Sequence, residues 1–382
     1  MRIVADENIP YVREAFEGLG EIETMPGRAM DAAAVRDARV LLVRSVTKVT
    51  PELLEGSQVE FVATATIGED HIDRDYLAKR GIGFASAPGS NANSVAEYIV
   101  SALLVLGQRD KLDLGQCRLG IVGVGNVGSR VHAKAQALGI ECVLNDPPLA
   151  RSTGDERYRP LGEALACDVI TVHVPLTREG PDATHHLGDA AVLSQLPREA
   201  VLINTSRGAV VDNPALLEAL EQGALRGAVL DVWEHEPHIS ALLLEAAELG
   251  TPHIAGYSFD GKVNGTRMIY EAACNHFGWT PSWTPAPLLP PPPCPEVAVD
   301  SRQPRLDALA SAVHAVYDIR RDDEALRQLI PAAESERPGL FDRLRKEYPQ
   351  RREFQNTRVH VAPPDDALSS VLRGLGFKDK EA

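Results

Sequence analysis

Short apolar runs alternate with helical patterns along most of this chain, and this alternation constrains the fold more than any other feature. Strands separated by helices form parallel sheets with helices on both faces. We therefore predict an α/β fold that begins with a doubly wound parallel sheet. The predicted strands of this first series are Ile3–Ala5, Val40–Val43, Phe61–Ala65 and Gly83–Ala85, and the predicted helices include Val12–Leu19 and Arg74–Arg80.

A second series of the same kind follows a long, mostly apolar helix predicted over Asn93–Leu106. Two successive α/β units are therefore expected to meet at this helix. The strands predicted for the second unit are Leu119–Val122, Glu141–Leu144, Val169–His173, Val201–Ile203, Gly227–Leu230 and His253–Ile254.

The composition changes between Pro281 and Pro295, which contains eight prolines and predicts a stiff, extended connector. The residues after it suggest a small α+β domain, with a strand near Val297–Val299 and a helix near Pro304–Asp318. We predict four parts, which are 1–93 together with 256–280, 94–255, the linker 281–295 and the C-terminal domain 296–382.

Charge and cysteine usage exclude several classes of protein. Lys and Arg number 39 against 54 Asp and Glu, so the net charge of −15 disfavours a nucleic acid or an acidic membrane as partner. The five cysteines lack C-x-x-C spacing, which predicts neither a disulfide framework nor a metal site. The start Met1–Asp6 has no signal-peptide pattern and no apolar run could span a bilayer, so a cytoplasmic location is expected.

Gly123, Gly125 and Gly128 form the pattern G-x-G-x-x-G, completed by Val124, Asn126 and Val127. Alone the pattern is weak, because glycine triplets also serve tight turns. Here a predicted strand precedes it and a predicted helix, Ser129–Leu138, follows it. That context is typical of a dinucleotide site, with the pyrophosphate on the amides of the helix N-terminus.

Asp146 ends the next predicted strand, where an acidic residue accepts hydrogen bonds from an adenosine ribose. Its carboxylate would repel a 2′-phosphate, and Pro147 and Pro148 follow it instead of arginines. The sequence therefore favours NAD over NADP, although Asp146 could also be a turn residue before proline. The loop of His173 and Val174 is expected near the cofactor, with a structural role for His173 equally open.

Arg207, Glu236 and His253 each follow an apolar strand-like run. A guanidinium binds a carboxylate through paired hydrogen bonds, and a neutral imidazole accepts a proton near pH 7. Glu236 could fix the tautomer of His253. Each residue alone is more often structural, but their occurrence together downstream of a nucleotide fingerprint favours oxidation of a 2-hydroxy acid.

Dense motifs around these residues resemble the D-2-hydroxyacid dehydrogenase family. The terminal segments resemble a narrower group within it, and the likeness covers nearly the whole chain. The broad motifs are Gly123-x-Gly125-x-x-Gly128, Asn204-Thr205-Ser206-Arg207-Gly208, Asp231-Val232-Trp233-x-x-Glu236-Pro237 and His253-Ile254-Ala255-Gly256-Tyr257. The narrower ones are Asp6–Pro10, Val43-Arg44-Ser45-Val46-Thr47-Lys48-Val49, Ala63–Gly68, Phe341-Asp342-x-Leu344-Arg345 and Tyr348-Pro349-x-Arg351-Arg352-Glu353-Phe354.

The resemblance implies NAD-dependent oxidation of 4-phospho-D-erythronate, a step toward pyridoxal phosphate. It implies a flavodoxin-like substrate domain, a Rossmann NAD domain and a C-terminal domain that forms a homodimer. Arg207, Glu236 and His253 would be catalytic, and Ser45, Thr66 and Tyr257 would contact the substrate. Besides the glycine loop, the implied NAD contacts are Asp146, Val174, Thr205, Ser206, Arg207, Asp231 and Gly256. Because relatives carry threonine where this chain has Val174, only a backbone contact is expected there.

The substrate phosphate needs cations of its own. Arg44 and Lys48, on either side of Ser45, are the candidates, and solvated charges at a strand end are the alternative reading. Two other functions stay open from the sequence. One is a related dehydrogenase for phosphoglycerate, glyoxylate or lactate, and the other is an NAD-sensing scaffold without catalysis.

Overall fold

A computed structural model describes residues 1–109 and 112–379. The strands in chain order are β1 (Arg2–Asp6), β2 (Glu21–Met25), β3 (Val40–Val43), β4 (Phe61–Thr64), β5 (Gly83–Ala85), β6 (Arg118–Val122), β7 (Glu141–Asn145), β8 (Val169–Val172), β9 (Val201–Asn204), β10 (Gly227–Leu230), β11 (Leu249–Gly250), β12 (Glu296–Asp300), β13 (Arg358–Ala362) and β14 (Lys378–Asp379). The helices are α1 (Val12–Phe16), α2 (Ala32–Val35), α3 (Pro51–Leu54), α4 (Arg74–Arg80), α5 (Ala92–Gln108), α6 (Asn126–Leu138), α7 (Pro147–Thr153), α8 (Leu161–Leu165), α9 (Ala190–Leu193), α10 (Asn213–Glu221), α11 (Ala241–Ala246), α12 (Phe259–Phe277), α13 (Arg305–Val316), α14 (Ile319–Arg327), α15 (Arg337–Lys346) and α16 (Asp366–Leu375).

The chain divides into two compact units. The first comprises Met1–Asn91 and Ser258–Pro291, and the second comprises Ala92–Tyr257 and Pro292–Ala382. The division of the chain into four parts stays a prediction. In the described parts of the chain, no helix is long and apolar enough to cross a membrane.

The first unit contains a five-stranded parallel sheet in the order β2-β1-β3-β4-β5, as in flavodoxin-like folds. Every residue of β3 and β4 is buried, because helices cover both faces of the sheet. Val43 pairs with Thr64, so the segments after β3 and β4 leave the sheet at the same edge. The sequence reading missed β2. Polar and apolar side chains alternate along its residues Glu21–Met25, as is common in an edge strand.

The second unit contains a six-stranded parallel sheet in the order β11-β10-β9-β8-β6-β7. An isolated parallel bridge between Leu144 and Tyr158 extends the sheet beyond β7. The chain reverses its direction of winding between β6 and β8, and ligands bind at the carboxyl ends of strands at such a point. The doubly wound α/β fold predicted for both units is therefore confirmed.

The strand predicted at His253–Ile254 is wrong. The last strand of the second sheet is β11, which pairs with β10 through Val229–Leu249 and Leu230–Gly250. His253 lies beyond it at a φ of 57°, in the left-handed region that a strand cannot contain. The apolar Ile254 is buried, but it lies in a loop and not in a strand.

The C-terminal residues form a third, smaller sheet in the order β12-β13-β14, with all pairs parallel. The loop before β13 is bound to α5, because the Phe354 backbone amide donates to Glu97 over 2.9 Å. At the other end, Gly374 of α16 lies so close to α6 that an added Cβ would be 2.5 Å from the Ala137 Cβ. The C-terminal region therefore packs on helices α5 and α6 of the six-stranded sheet, within the same unit.

Candidate active site

A carboxylate and an imidazole form the centre of the site in the second unit. His253 Nδ1 lies 2.7 Å from Glu236 Oε2, and Glu236 Oε1 accepts the Trp233 backbone N–H at 2.9 Å. Both carboxylate oxygens are therefore engaged, so the side chain has one orientation. An ionised Glu236 accepts a hydrogen bond from Nδ1–H, and in that tautomer Nε2 of the ring is the proton acceptor.

The charge state of Glu236 follows from its surroundings. Burial favours the neutral carboxyl, but the charge of His253, the hydrogen bonds from His253 and Trp233, and the charge of Arg345 outweigh burial. The Glu236 pKa is consequently below its ordinary value. The group is ionised at neutral pH, as an acceptor for an imidazole N–H must be.

Asp231 holds the backbone that presents His253. Its carboxylate is buried and accepts hydrogen bonds from the Thr251 hydroxyl at 2.6 Å, the Ile254 amide at 2.7 Å and the Ala255 amide at 3.0 Å. The His253 amide donates to the Asp231 carbonyl at 2.7 Å. These bonds enforce the left-handed backbone of His253, which costs about 1–3 kcal/mol and is typical of functional positions.

Arg207 reaches the same place from the end of β9. The buried Asn204 shapes its loop, since Asn204 donates to the Arg207 carbonyl at 2.9 Å and accepts from the Ser206 hydroxyl at 2.9 Å. The next residue, Gly208, packs directly on Trp233, and a Cβ there would lie 2.0 Å from its carbonyl carbon. The Arg207 loop and the Glu236 loop are therefore in backbone contact.

The three residues predicted to be catalytic line one cavity of about 350 Å³. The sequence reading missed Arg178 and His185, whose loop contains no recognisable motif, and it gave no role to Glu234 and His235 beside Glu236. The lining consists of Leu176, Arg178, His185, Arg207, Gly208, Ala209, Trp233, Glu234, His235, Glu236 and His253. Arg207 and Arg178 make part of the wall cationic, which suits an anionic ligand.

The glycine loop fits a dinucleotide. Gly123 has a φ of 86°, and an added Cβ would lie 2.7 Å from the His173 carbonyl oxygen and 2.9 Å from Val174. A Cβ on Gly128 would lie 2.0 Å from the Gly123 carbonyl oxygen, so helix α6 packs tightly on the turn. A Cβ on Gly125, in contrast, would meet nothing within 4 Å. That open space above the α6 N-terminus, with Asn126 and Val127 in its first turn, is where a pyrophosphate can approach.

Asp146 caps α7 and also contacts the glycine loop. One carboxylate oxygen accepts the Leu149 amide at 2.9 Å, and the other accepts the Val124 amide at 2.9 Å. The turn role considered from the sequence is thus real. The same hydrogen bonds place the carboxylate beside the glycine loop, as ribose binding requires, and each oxygen keeps a further lone pair for a hydroxyl.

The other residues expected at the cofactor lie in loops at the carboxyl ends of the strands. Val174 packs on the Gly123 turn, the Thr205 hydroxyl lies 3.3 Å from His173 Nδ1, and Gly256 follows Ala255 in the loop that Asp231 holds. The sequence reading missed the structural role of the buried Asp231 carboxylate, which accepts hydrogen bonds from Thr251, Ile254 and Ala255. Its contact with NAD stays a prediction.

His173 has the properties of a structural residue. Its Nε2 lies 2.9 Å from the Thr171 hydroxyl and its Nδ1 lies 3.3 Å from the Thr205 hydroxyl. Removal from water lowers its pKa to about 3, so the ring is neutral. His173 therefore orders the loops around the glycine turn and does not carry charge.

The first unit places two expected substrate residues at adjacent strand ends. Ser45 is exposed after β3, and the Thr66 hydroxyl, after β4, lies 2.7 Å from that of Thr64. Of the two cations predicted for a phosphate, Arg44 is half-buried and Lys48 is exposed.

The sequence reading missed Lys262, in the first turns of α12. Burial and the nearby charge of Arg44 lower its pKa to about 8. The charges of two cations on elements distant in sequence therefore act on each other in the first unit. A helix residue without a local motif offered no sequence signal for this pairing.

Comparisons with known proteins identify the family of this chain. The family model for the NAD binding domain of D-isomer specific 2-hydroxyacid dehydrogenases matches residues 105–255. Erythronate-4-phosphate dehydrogenase of Cronobacter sakazakii is 47% identical over 99% of this chain and 98% of its own, and that of Edwardsiella ictaluri is 48% identical over 100% of both. The chain belongs to the erythronate-4-phosphate dehydrogenase family.

A solved structure supports the same assignment for the two sheet domains. D-lactate dehydrogenase from Aquifex aeolicus, complexed with NAD and lactic acid, is 27% identical, has a TM-score of 0.60, and covers 73% of this chain and 96% of its own. This protein is therefore an NAD-dependent oxidoreductase of the 2-hydroxyacid dehydrogenase type. A second family model, for a domain of unknown function (DUF3410), matches residues 288–376. This second match lies entirely after the residues that the NAD binding domain model covers.

Gly208→Ala tests the packing that brings Arg207 to the Glu236 loop. The new methyl group would overlap the Trp233 backbone, so the loops must separate, and a displacement near 1 Å lowers kcat/KM by about 10²-fold. Steady-state kinetics and the midpoint of thermal unfolding would measure both consequences. Gly162→Ala is the matched control, because its Cβ would meet nothing within 4 Å. Wild-type kcat/KM in Gly208→Ala would contradict the packing argument.

Proposed function

We propose that the protein catalyses NAD-dependent oxidation of 4-phospho-D-erythronate to (R)-3-hydroxy-2-oxo-4-phosphooxybutanoate, in the biosynthesis of pyridoxine and pyridoxal 5′-phosphate. The observation that carries the proposal is the single cavity in which Arg207 lies with the Glu236–His253 pair. The names of relatives that are 47% and 48% identical over nearly the full chain support this substrate.

Arg207, Glu236 and His253 each have a defined task in this proposal. Arg207 binds the substrate carboxylate, because a guanidinium offers two parallel N–H donors to its oxygens. His253 Nε2 accepts the proton of the 2-hydroxyl group as the C2 hydrogen departs with its electron pair. Glu236 stabilises the positive charge that the imidazole acquires, and it prevents the ring from turning. NAD, when bound on the glycine loop, supplies the hydride acceptor.

The phosphate group is proposed to bind the cations of the first unit. Burial and the charge of Arg44 disfavour the charged form of Lys262, and a dianion would relieve both effects. Arg44 and Lys262 are therefore the main candidates, and Ser45 lies next to Arg44 in the chain. Lys48, which is exposed, would add long-range attraction only.

The pH dependence of kcat/KM tests the role of Lys262. A pKa of about 8 means that the free protein loses the Lys262 charge as the pH rises through that value, so kcat/KM should fall there. Lys262→Arg should abolish this fall, because a guanidinium stays charged. Lys262→Met should lower kcat/KM about 10–100-fold, the usual effect of losing a hydrogen bond to a charged group.

Two controls accompany this measurement. Lys48→Met should change kcat/KM little. With unphosphorylated D-erythronate as substrate, both Lys262 substitutions should also change kcat/KM little. Equal losses with phosphorylated and unphosphorylated substrate would show that Lys262 does not bind the phosphate.

A substrate panel tests the function itself. NADH formation at 340 nm should be fastest with 4-phospho-D-erythronate and should be compared with 3-phosphoglycerate, glycolate and D-lactate, each with and without an added 2-oxo acid. NADP should support little turnover, since the Asp146 carboxylate repels a 2′-phosphate. Faster oxidation of another acid would reassign the substrate, and NAD binding without any turnover would favour a sensing scaffold.

We also propose that the protein is a cytoplasmic homodimer in which the C-terminal residues 296–382 form the contact between subunits. The support is the resemblance of the segments Phe341–Arg345 and Tyr348–Phe354 to that domain in relatives. The acidic net charge of −15 supports a small anionic metabolite bound at a local cationic site, and not a nucleic acid, as the partner.

A further inference from the structure

The C-terminal region contacts the loop that carries His253. Helix α15 presents Arg345, whose Nη2 donates to the Tyr257 hydroxyl at 3.1 Å. The guanidinium carbon lies 5.8 Å from the centre of the Tyr257 ring and 5.9 Å from that of Phe341. Arg345 therefore holds both the hydroxyl and the ring of Tyr257, four residues after His253.

A second arginine fixes the same loop from the segment after α15. Arg351 is buried, donates to the Ala255 carbonyl at 3.3 Å and to the Ser94 carbonyl at 2.8 Å, and lies 3.6 Å over the Tyr317 ring. This contact is structural, because a buried cation with several partners cannot be removed without a large loss of stability. The proton-transfer loop is thus attached to the C-terminal region at two points.

Arg345 differs from Arg351 in what its charge does. It acts on Glu236 and Asp231, and it is one of the groups that lower the Glu236 pKa. The Nε of each arginine is buried and has no hydrogen-bond acceptor among residues 1–109 and 112–379, so the two side chains differ in the charges they act on and not in the pairing of Nε.

We propose that Arg345 is a positioning residue of the active site, through which the C-terminal region orients Tyr257 and keeps a positive charge beside the Glu236–His253 pair. The inference rests on the proposed function, which makes the pair the proton-transfer group and Tyr257 a substrate contact. It also gives a positioning role to a region whose family model describes a domain of unknown function.

The charge argument has a defined sign. A cation near the pair disfavours the protonated form of either member, so removing the Arg345 charge should move protonation of the pair to higher pH. The other charged or titratable groups around the pair stay in place in such a variant, and they are Asp231, Arg178, His185, Arg207, Glu234 and His235.

Four variants of the full-length protein separate charge from hydrogen bonding. Arg345→Met should raise KM about three- to tenfold, the effect of one lost hydrogen bond, and should move the acid limb of kcat/KM to higher pH. Arg345→Lys should keep the wild-type acid limb and still show the raised KM, because an ammonium lacks the planar donor geometry. Tyr257→Phe should raise KM without moving the limb. Arg343→Met, at an exposed position of the same helix, is the control and should do neither.

An NMR titration of the His253 ring supplies a readout without turnover, with resonances assigned from the spectrum of His253→Gln. Arg345→Met should move the titration to higher pH, and Arg343→Met should not. If Arg345→Met lowers only thermal stability, with KM, the acid limb and the ring titration unchanged, Arg345 is merely structural and the proposal is wrong. Absence of wild-type turnover with 4-phospho-D-erythronate would overturn the proposed function instead, while the titration would still decide the placement of the charge.

Discussion

The hydrogen bond between Glu236 and His253 is the interaction on which the site depends. It joins two loops of the second unit over 2.7 Å and leaves one ring nitrogen for the substrate. The bond requires an ionised carboxylate and a fixed imidazole, and the protein provides both through neighbouring groups. The Trp233 amide occupies the second oxygen of Glu236, and the Asp231 carboxylate orders the backbone on both sides of the loop.

The cofactor part of the site follows directly from the parallel-sheet fold. Parallel strands bring loops from distant parts of the sequence to one edge of the sheet, and the crevice between β6 and β8 lies where dinucleotides bind. Tight contacts at Gly123 and Gly128 form the turn, while the open space at Gly125 admits phosphate. Arg207 follows β9, His253 follows β11 and Asp146 follows β7, so one edge carries both the cofactor loop and the proton-transfer groups.

Features with local signals were predictable from the sequence. The strands Val40–Val43 and Gly227–Leu230 and the helix Arg74–Arg80 have the predicted bounds, because apolar runs and caps are local. Features that depend on tertiary contact were not predictable. The edge strand β2 has few apolar residues, the loop at His253 is apolar because it is buried, and Lys262 meets Arg44 only after folding. The contact of Arg345 with Tyr257 has the same origin, since 88 residues separate the two in the chain.

The central claim is that Glu236 acts through His253, and a double-mutant cycle on kcat tests it most directly. His253→Gln and Glu236→Gln should each lower kcat, by about 10²–10⁴-fold for loss of a general base, with NAD affinity unchanged. The account predicts that the double variant is no slower than His253→Gln alone, because a group that works through another contributes nothing once that partner is gone. Losses that multiply in the double variant would contradict the account and would show that the two residues act independently.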